Sequence, residues 1–488
     1  MSLKNQAINA VVWNSIGNFT TLGIEFVIGI ILARLLAPQE FGLMATIMIV
    51  INISQIFINS GFSQAIVRKP TCTQDDYSTA FYFNLAAGTF LFGILLITAG
   101  PISRFFSNPE LKPLIQVLGT VLIIGSLSLI QQAKLTRKID FKLQSKVTIT
   151  ASVISGLIAI VLAVKGFGVW SLVVKTLANQ CLTTVMLWFL NPWKPDLIFN
   201  MESFRELFGF GSKLLISGII GSVLSNLYYL VIAKYYTPAD LGYYSRAELF
   251  KNLPSQNATS VITSVSYPVL AKVQGDRERF REGSRKIITT TFFIMSILMF
   301  GMAAVSDSLI LTLVGEQWKQ SVIYLQLLCF VGLMHPLTSI NINLLNVIGR
   351  SDLYMKLQLI MQSLSIPVMV TGIFFGIRIM IFAMWANYLI SFIIYSWISS
   401  RYTGYAVKTQ IRDISWSFIL GLVMGVLVYL VDFFTSFNPL ATLLIQLFAG
   451  VFIVIIAGEL FKLKEYLFLK EIILGKTRSL LFNPVINS

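Results

Sequence analysis

The sequence predicts an all-α integral membrane protein of about fourteen transmembrane helices, built as two homologous six-helix halves with two further helices towards the C-terminal end. Three observations predict it. Hydrophobic residues fill 56% of the 488 positions and charged residues only 12%, which is more apolar surface than one soluble core can bury. Apolar runs of roughly 20 residues, the length a helix needs to cross hydrocarbon, recur from end to end. A segment near the start also returns in the second half, where ARLLAPQEFGL (33–43) is answered by AKYYTPADLGY (233–243).

In that repeat Ala33, Arg34, Pro38, Glu40, Phe41 and Gly42 match Ala233, Lys234, Pro238, Asp240, Leu241 and Gly242. A weaker echo joins KIDF (138–141) to RSDL (350–353) at a similar offset. Two independent matches at similar spacing mark a duplication of membrane-spanning segments, as in many transporters.

In order, the spans read as 9–34, 41–66, 77–99, 113–132, 146–164, 168–190, 208–234, 241–268, 286–306, 320–347, 354–375, 378–399, 412–432 and 438–461. The opening MSLKNQAINAVVWNSIGN has one lysine, many polar residues and no compact apolar core before a small-residue cleavage site, so it reads as the first span rather than a signal peptide. NPWKPDLIFN (191–200) interrupts the helical pattern with two prolines. The halves are therefore drawn as 1–200 and 201–405, and 406–488 holds two helices without partners in the repeat plus a basic tail. In that tail, FKLKEYLFLKEIILGKTRSLL mixes lysines with apolar residues at helical spacing, the pattern of an interfacial helix on the inner leaflet.

Charge sets the expected orientation. With the N-terminus inside, the outer connections hold only Arg34, Arg104, Lys112, Lys165, Lys234, Arg246, Lys319 and Arg378, out of 37 lysines and arginines. Both termini are therefore expected in the cytoplasm. The net charge of +15 is in large part this topology signal, and no nucleic-acid partner is invoked. An even number of spans per half makes the halves parallel, related by a pseudo-twofold axis along the membrane normal. Cys72, Cys181 and Cys329 are far apart and form no CxxC pair, so no zinc site or disulfide framework is expected. GxxxxGK, GxGxxG, HExxH and DxD-type metal motifs are missing from the sequence, which argues against ATP-driven export by this chain alone.

At the paired AR/K-xxx-P-x-E/D-F/L-G motif, QQAKLTRKIDF (131–141) and NLLNVIGRSDL (343–353), the chain resembles the bacterial polysaccharide flippases. These are the O-antigen, colanic-acid and exopolysaccharide exporters of the multidrug, oligosaccharidyl-lipid and polysaccharide exporter superfamily. The resemblance runs over essentially the whole length. It implies a non-enzymatic protein of the bacterial cytoplasmic membrane that moves an undecaprenyl-diphosphate-linked oligosaccharide from the inner to the outer leaflet by alternating access. It also implies a central cationic cavity lined by the first two helices of each half. No cofactor is expected; a proton, a sodium ion or the membrane potential are the candidate energy sources. Expected partners are the lipid-linked substrate, membrane lipids, and a polysaccharide polymerase with its chain-length machinery. Two other readings stand beside it: a cation-coupled multidrug exporter, which needs a compact acidic site, and a membrane polysaccharide polymerase, which needs a long catalytic loop.

Charged residues within spans cost a few kcal/mol each unless they face protein or water, so each is a candidate for the path. Asn14, Asn18, Thr21 and Glu25 share one face of the first helix. The second helix carries Asn52, Gln55 and Asn59, the seventh Ser217, Ser225 and Asn226, and the eighth Glu248, Lys251, Asn252, Gln256 and Thr259. Lys251, roughly 15 Å along its helix, is too deep to snorkel and is the leading candidate for the diphosphate; the alternative is an intrahelical pair with Glu248. Glu25 is read as an ion-pair partner, a site for a coupling proton, or a structural hydrogen-bond acceptor. Arg34, Lys234 and Arg246 serve either to receive the head group or as interfacial anchors. Snorkelling accounts for Lys175 and Lys213. The run GDRERFREGSRK (275–286) reads as a solvated inner connection and His335 as structural.

Overall fold

The computed structural model of the protein describes residues 3–59, 61–434 and 437–473, and apart from short connections these are helical, with no strand among them. Twelve helical segments among the described residues are long and apolar enough to cross a membrane. The chain folds into two compact units, Met1–Gly242 and Tyr243–Ser488. The first contains α1 (Leu3–Leu35), α2 (Pro38–Asn59), α3 (Phe62–Arg68), α4 (Gln74–Phe105), α5 (Leu111–Leu118), α6 (Thr120–Arg137), α7 (Phe141–Val164), α8 (Val169–Leu190), α9 (Met201–Ser225) and α10 (Leu227–Tyr235). Helix α11 (Pro238–Val273) begins in the first unit and runs through the second. It is followed there by α12 (Arg277–Ala304), α13 (Ser306–Leu313), α14 (Ser321–Val347), α15 (Ser351–Ser363), α16 (Ser365–Phe375), α17 (Ile377–Thr403), α18 (Val407–Phe434), α19 (Pro439–Leu460) and α20 (Lys464–Ile473).

The expected seventh and eighth spans correspond to α9–α10 and α11, which are not among the twelve apolar segments. Helix α11 carries Asp240, Arg246, Glu248, Lys251 and Lys272, and α9–α10 is interrupted at Asn226. The division after Gly242 is one of packing, whereas the break near residue 200 concerns duplication in the sequence. In packing, α9 lies against α2, α3 and α4. Lys69 ties it there, reaching Glu206 on α9 at 2.7 Å and Asp76 on α4 at 3.0 Å. Burial opposes the Lys69 charge, but the hydrogen bonds to Glu206 and Asp76 outweigh it and raise the ammonium above its ordinary value.

The repeated motif is a helix start. Pro38 opens α2 and Pro238 opens α11, at the position where a missing N–H costs nothing. Two residues on, Glu40 accepts the Ala37 N–H at 2.7 Å, and Asp240 accepts the Thr237 N–H at 3.1 Å and its hydroxyl at 2.6 Å. A carboxylate there satisfies an orphan donor and complements the helix dipole. The glycines meet the opposite copy: a Cβ on Gly42 would overlap the Pro238 carbonyl, and one on Gly242 would overlap the Pro38 carbonyl. Each motif copy thus receives the proline turn of the other.

The weaker echo is also a backbone signature, in a shifted register. After α6 the N–H groups of Lys138, Ile139 and Asp140 return to Lys134, Thr136 and Leu135; after α14 those of Ile348, Gly349 and Arg350 return to Leu344, Asn346 and Leu345. Ile139 and Gly349 both hold left-handed φ, at 59° and 78°. This pairs Asp140 with Arg350, two residues out of step with the KIDF–RSDL match. Glycine bears that conformation without strain, while Ile139 adopts it under the closing turn of α6.

Packing within each unit uses small residues and buried polar clasps. Helix α7 turns Ser145, Ser152, Ser155, Gly156, Ala159 and Ala163 inward, allowing close approach of α1, and Ser145 donates to the Trp13 carbonyl at 3.0 Å. In the second unit Ser296 of α12 donates to the Ser417 carbonyl of α18 at 2.7 Å. Gln131 on α6 accepts from Asn191 at 2.9 Å and donates to the Trp193 carbonyl at 3.4 Å. Asn341 on α14 holds the same register as Gln131 and donates to Gln410 at 3.3 Å, and Gln410 donates in turn to the Tyr405 carbonyl at 3.0 Å and accepts from Ser396 at 3.1 Å. Outward, large apolar side chains such as Ile97, Phe189, Phe374 and Phe448 are exposed, as lipid contact requires.

Gln410→Leu should therefore lower the melting temperature in detergent by an amount equivalent to about 1–3 kcal/mol, because Asn341 and Ser396 lose a buried partner. A melting temperature equal to the parent's would show that the clasp contributes nothing.

Candidate functional site

The polar groups of the membrane helices fall into two sets, one in each unit. In the first, the stripe on α1 is present as expected. Asn18 donates to Asn14 at 3.3 Å, both exposed, and two turns further Glu25 meets Lys175 of α8 at 2.5 Å. This corrects the expectation for Lys175. Its ammonium does not snorkel to the end of its helix but turns inward to the carboxylate, because charge neutralisation between helices outweighs the stretch towards water. Glu25 takes the ion-pair role, one of its three readings. Its side chain is 37% exposed against 19% for Lys175, so the pair is reached from one side.

Asn52 and Gln55 on α2 are half-buried, and the side chain of Asn59 lies outside the described residues, as do those of Ser217 and Lys213. Asn226 sits where α9 gives way to α10, and its amide donates to the Ser222 carbonyl at 2.8 Å. The backbone there stays bonded, the Asn226 N–H to the Ser222 carbonyl at 3.1 Å and the Leu230 N–H to the Asn226 carbonyl at 2.9 Å. Lys234 donates to the Phe105 carbonyl and lies over the Phe105 ring, 4.6 Å from its centre. It fastens α10 to the end of α4. Arg34 is exposed.

The second set lies on α11, α14 and α17 of the second unit. Lys251 is 8% exposed, its stem packed against Gly332 of α14, where a Cβ would stand 3.1 Å from that stem and overlap the Met299 sulfur. Glu248 is its ion partner at 3.8 Å, so the intrahelical pair forms, but at a distance beyond a hydrogen bond. Glu248 Oε2, Asn252 Oδ1, His335 Nδ1 on α14 and Asn387 Oδ1 on α17 are all buried without a hydrogen-bond partner among the described residues. The His335 ring lies 6.1 Å from that of Tyr388 on α17. Arg246 departs from the interfacial-anchor reading. It is 5% exposed and its guanidinium stands 5.1 Å from the Trp318 ring, inside the unit. Gln256 is exposed and Thr259 buried.

Sequence reasoning missed Lys175 and Asn387 as members of these sets. Both are polar residues within spans (168–190 and 378–399), which is the signal that could have found them. No group of three or more metal-ligating side chains occurs among the described residues.

Comparison with known proteins follows the same lines. Residues 31–323 match the family described as polysaccharide biosynthesis protein. The chain is 25% identical over 442 residues to the succinoglycan biosynthesis transport protein ExoT of Rhizobium meliloti, covering 90% of this chain and 89% of that protein. It is 25% identical over 355 residues to the teichuronic acid biosynthesis protein TuaB of Bacillus subtilis (72% and 73% covered). The lipopolysaccharide biosynthesis protein WzxC of Escherichia coli is likewise 25% identical over 378 residues (76% of each). Among solved structures, the lipid II flippase MurJ in an inward closed conformation superposes with a TM-score of 0.73 at 17% identity, over 92% of this chain and 98% of that one. An inward-facing multidrug resistance transporter of the MATE family follows at 0.61 and 15%, over 81% and 99%. At such identities the likeness is one of fold.

For the Glu25–Lys175 pair, a double-mutant cycle should give a coupling of about 2 kcal/mol in detergent melts. Glu25→Gln and Lys175→Met should each destabilise, and the double variant should recover part of the loss. Additive losses would mean that the two groups do not interact.

Proposed function

The chain belongs to the polysaccharide biosynthesis protein family, and on that premise we propose that it is a flippase for undecaprenyl-diphosphate-linked oligosaccharide. It acts without covalent chemistry in the bacterial cytoplasmic membrane, with both termini inside, and carries its substrate from the inner to the outer leaflet by alternating access. The observation that carries this reading is polar and ionic groups deep within spans of a chain whose relatives are named for surface-polysaccharide biosynthesis and transport. Polar groups within membrane helices are costly and are kept where they line a path or hold its walls.

The roles divide accordingly. The Asn14–Asn18 pair, Asn52 and Gln55 offer hydroxyl-compatible hydrogen bonds to sugars, while Glu25–Lys175 neutralises charge between α1 and α8. Lys251 supplies the cation for the diphosphate when the packing of α11 on α14 opens. In the closed arrangement its only ion partner among the described residues is Glu248 at 3.8 Å, so the ammonium retains capacity for an anion. A multidrug-exporter reading needs a compact acidic site, and Glu25, the acid of the first set, is paired with Lys175.

Purified protein in proteoliposomes carrying an undecaprenyl-diphosphate-linked glycan tests this by leaflet accessibility of the sugar. The parent should move the glycan across; no movement under an imposed proton, sodium or voltage gradient would refute the flippase assignment. Lys251→Gln should cut the rate by about tenfold or more, the loss of one charge-assisted contact, with insertion unaffected. The Glu248→Gln/Lys251→Met double variant removes both buried charges and controls for folding. Parent-level transport by Lys251→Gln would take Lys251 out of the path.

A further inference from the structure

A cavity of the second unit lies away from these polar sets, where the start of α12, the start of α18 and the turn from α19 into α20 come together. Its volume is 780 Å3, and its walls include five cations, Arg285, Lys286, Arg412, Lys462 and Lys464, against three carboxylates, Glu282, Asp413 and Glu465. Not all of these charges are available. Arg285 is held by Asp413 in a two-pronged contact at 2.7 and 3.0 Å, and Asp413 also accepts the Tyr405 hydroxyl at 2.9 Å. The Lys286 ammonium sits 3.7 Å from the centre of the Phe468 ring. Arg412, Lys462 and Lys464 form no ion pair among the described residues. The cavity therefore keeps a surplus of positive charge.

Its α20 wall is fixed in place. The Tyr466 ring covers Gly458 at the end of α19, where a Cβ would collide with it. Glu459 accepts from Tyr466 at 3.1 Å and from Lys470, and Lys462 takes a left-handed φ of 47° to make the turn. At the mouth, Trp416 and Phe461 are 67% and 66% exposed. Aromatic side chains beside unpaired cations, at the same end of several spanning helices, are the composition of a lipid head-group site.

We propose that this cavity binds the head group of an anionic glycerophospholipid in the leaflet that it faces, the cytoplasmic one in the orientation given above. Arg412, Lys462 and Lys464 take the phosphate, and Trp416 and Phe461 receive the glycerol and the first methylenes of the acyl chains. The exposed aromatics favour a lipid over a soluble phosphate, which has no use for them. The lining comes from α12 and from α18–α20, and α18–α20 lie beyond the duplicated halves, which favours a resident lipid over the transported one. The site does not depend on the flippase assignment, and its test measures no transport.

The test is a thermal melt of the full-length protein in neutral detergent, titrated with phosphatidylglycerol or with phosphatidylcholine. Phosphatidylglycerol should raise the melting temperature saturably and phosphatidylcholine should not. Arg412→Gln/Lys462→Gln/Lys464→Gln should weaken half-saturation by about tenfold or more, whereas Lys112→Gln/Lys165→Gln/Lys319→Gln, with the same change in net charge, should bind as the parent does. Equal loss in both variants would reduce the effect to net charge and overturn the site. Competition by inorganic phosphate would reassign the cavity to a soluble anion, and displacement by undecaprenyl diphosphate at matching potency would reassign it to the substrate. If the triple variant does not fold, photoactivatable phosphatidylglycerol on the parent decides. Crosslinks should map to peptides around Arg412–Trp416 and Phe461–Phe468, and their absence there would overturn the proposal.

Discussion

A chain that crosses hydrocarbon finds no water for its polar groups, so every partner must come from the protein itself. The helices follow from this constraint, and so do their contacts. Where two helices approach closely, as α1 and α7 do, the α7 surface is largely serine, glycine and alanine, against which Ile28 and Leu32 of α1 pack, and the Ser145 hydroxyl donates to a carbonyl across the gap. Where a connection re-enters the bundle, amides close it: Gln131 with Asn191 and the Trp193 carbonyl in the first unit, Asn341 with Gln410 and the Tyr405 carbonyl in the second. These two clasps occupy equivalent places with different residues. What the fold requires there is a buried donor and acceptor, and several side chains meet that need.

The duplicated motif is stricter because its geometry is reciprocal. Gly42 and Gly242 each lie against the proline carbonyl of the other copy, so a side chain added to either one disturbs a contact that the other copy also makes. The carboxylates at 40 and 240 differ in length yet cap alike. Further along the same helices the copies part only at some positions. At the same offset Asn52 is answered by Asn252, whereas Met48 and Ile51 of α2 are answered by Glu248 and Lys251 of α11. Duplication has kept the residues that start and seat the helices together with one inward amide, and the charges of α11 were placed beside it without unmaking the fold.

This explains what was legible in the sequence. Twelve of the fourteen expected spans were, because apolar length is a direct consequence of bilayer thickness. The repeat was, because capping and close approach tolerate few residue types. The stripe Asn14–Asn18–Glu25 was, because its spacing is a property of one helix. Lys175 was not, since its partner is 150 positions away and nothing local distinguishes a lysine that turns inward from one that stretches to the interface. Arg246 failed for the same reason: its closeness to a span end suggested an anchor, while Trp318 draws it inside. The weak echo was read two residues out of step because letters were matched. The conserved feature there is a left-handed turn that isoleucine fills in one copy and glycine in the other.

The two ion pairs of the spans then differ in kind. Glu25 and Lys175 stand at 2.5 Å with one side accessible, a contact that satisfies both groups. Lys251 and Glu248 stand at 3.8 Å, both largely enclosed, with Glu248 Oε2 and Asn252 Oδ1 left without hydrogen bonds among the described residues. Enclosing a cation so weakly paired costs several kcal/mol, and a marginally stable fold bears that only if the surrounding packing is strong. The second unit supplies it: α14 buries nearly its whole circumference, α12 and α18 join through Ser296, and Gln410 ties three segments together. An under-satisfied cation held in such a frame has its most favourable outlet in an incoming anion, and the arrangement that admits one is also the arrangement that relieves the cost.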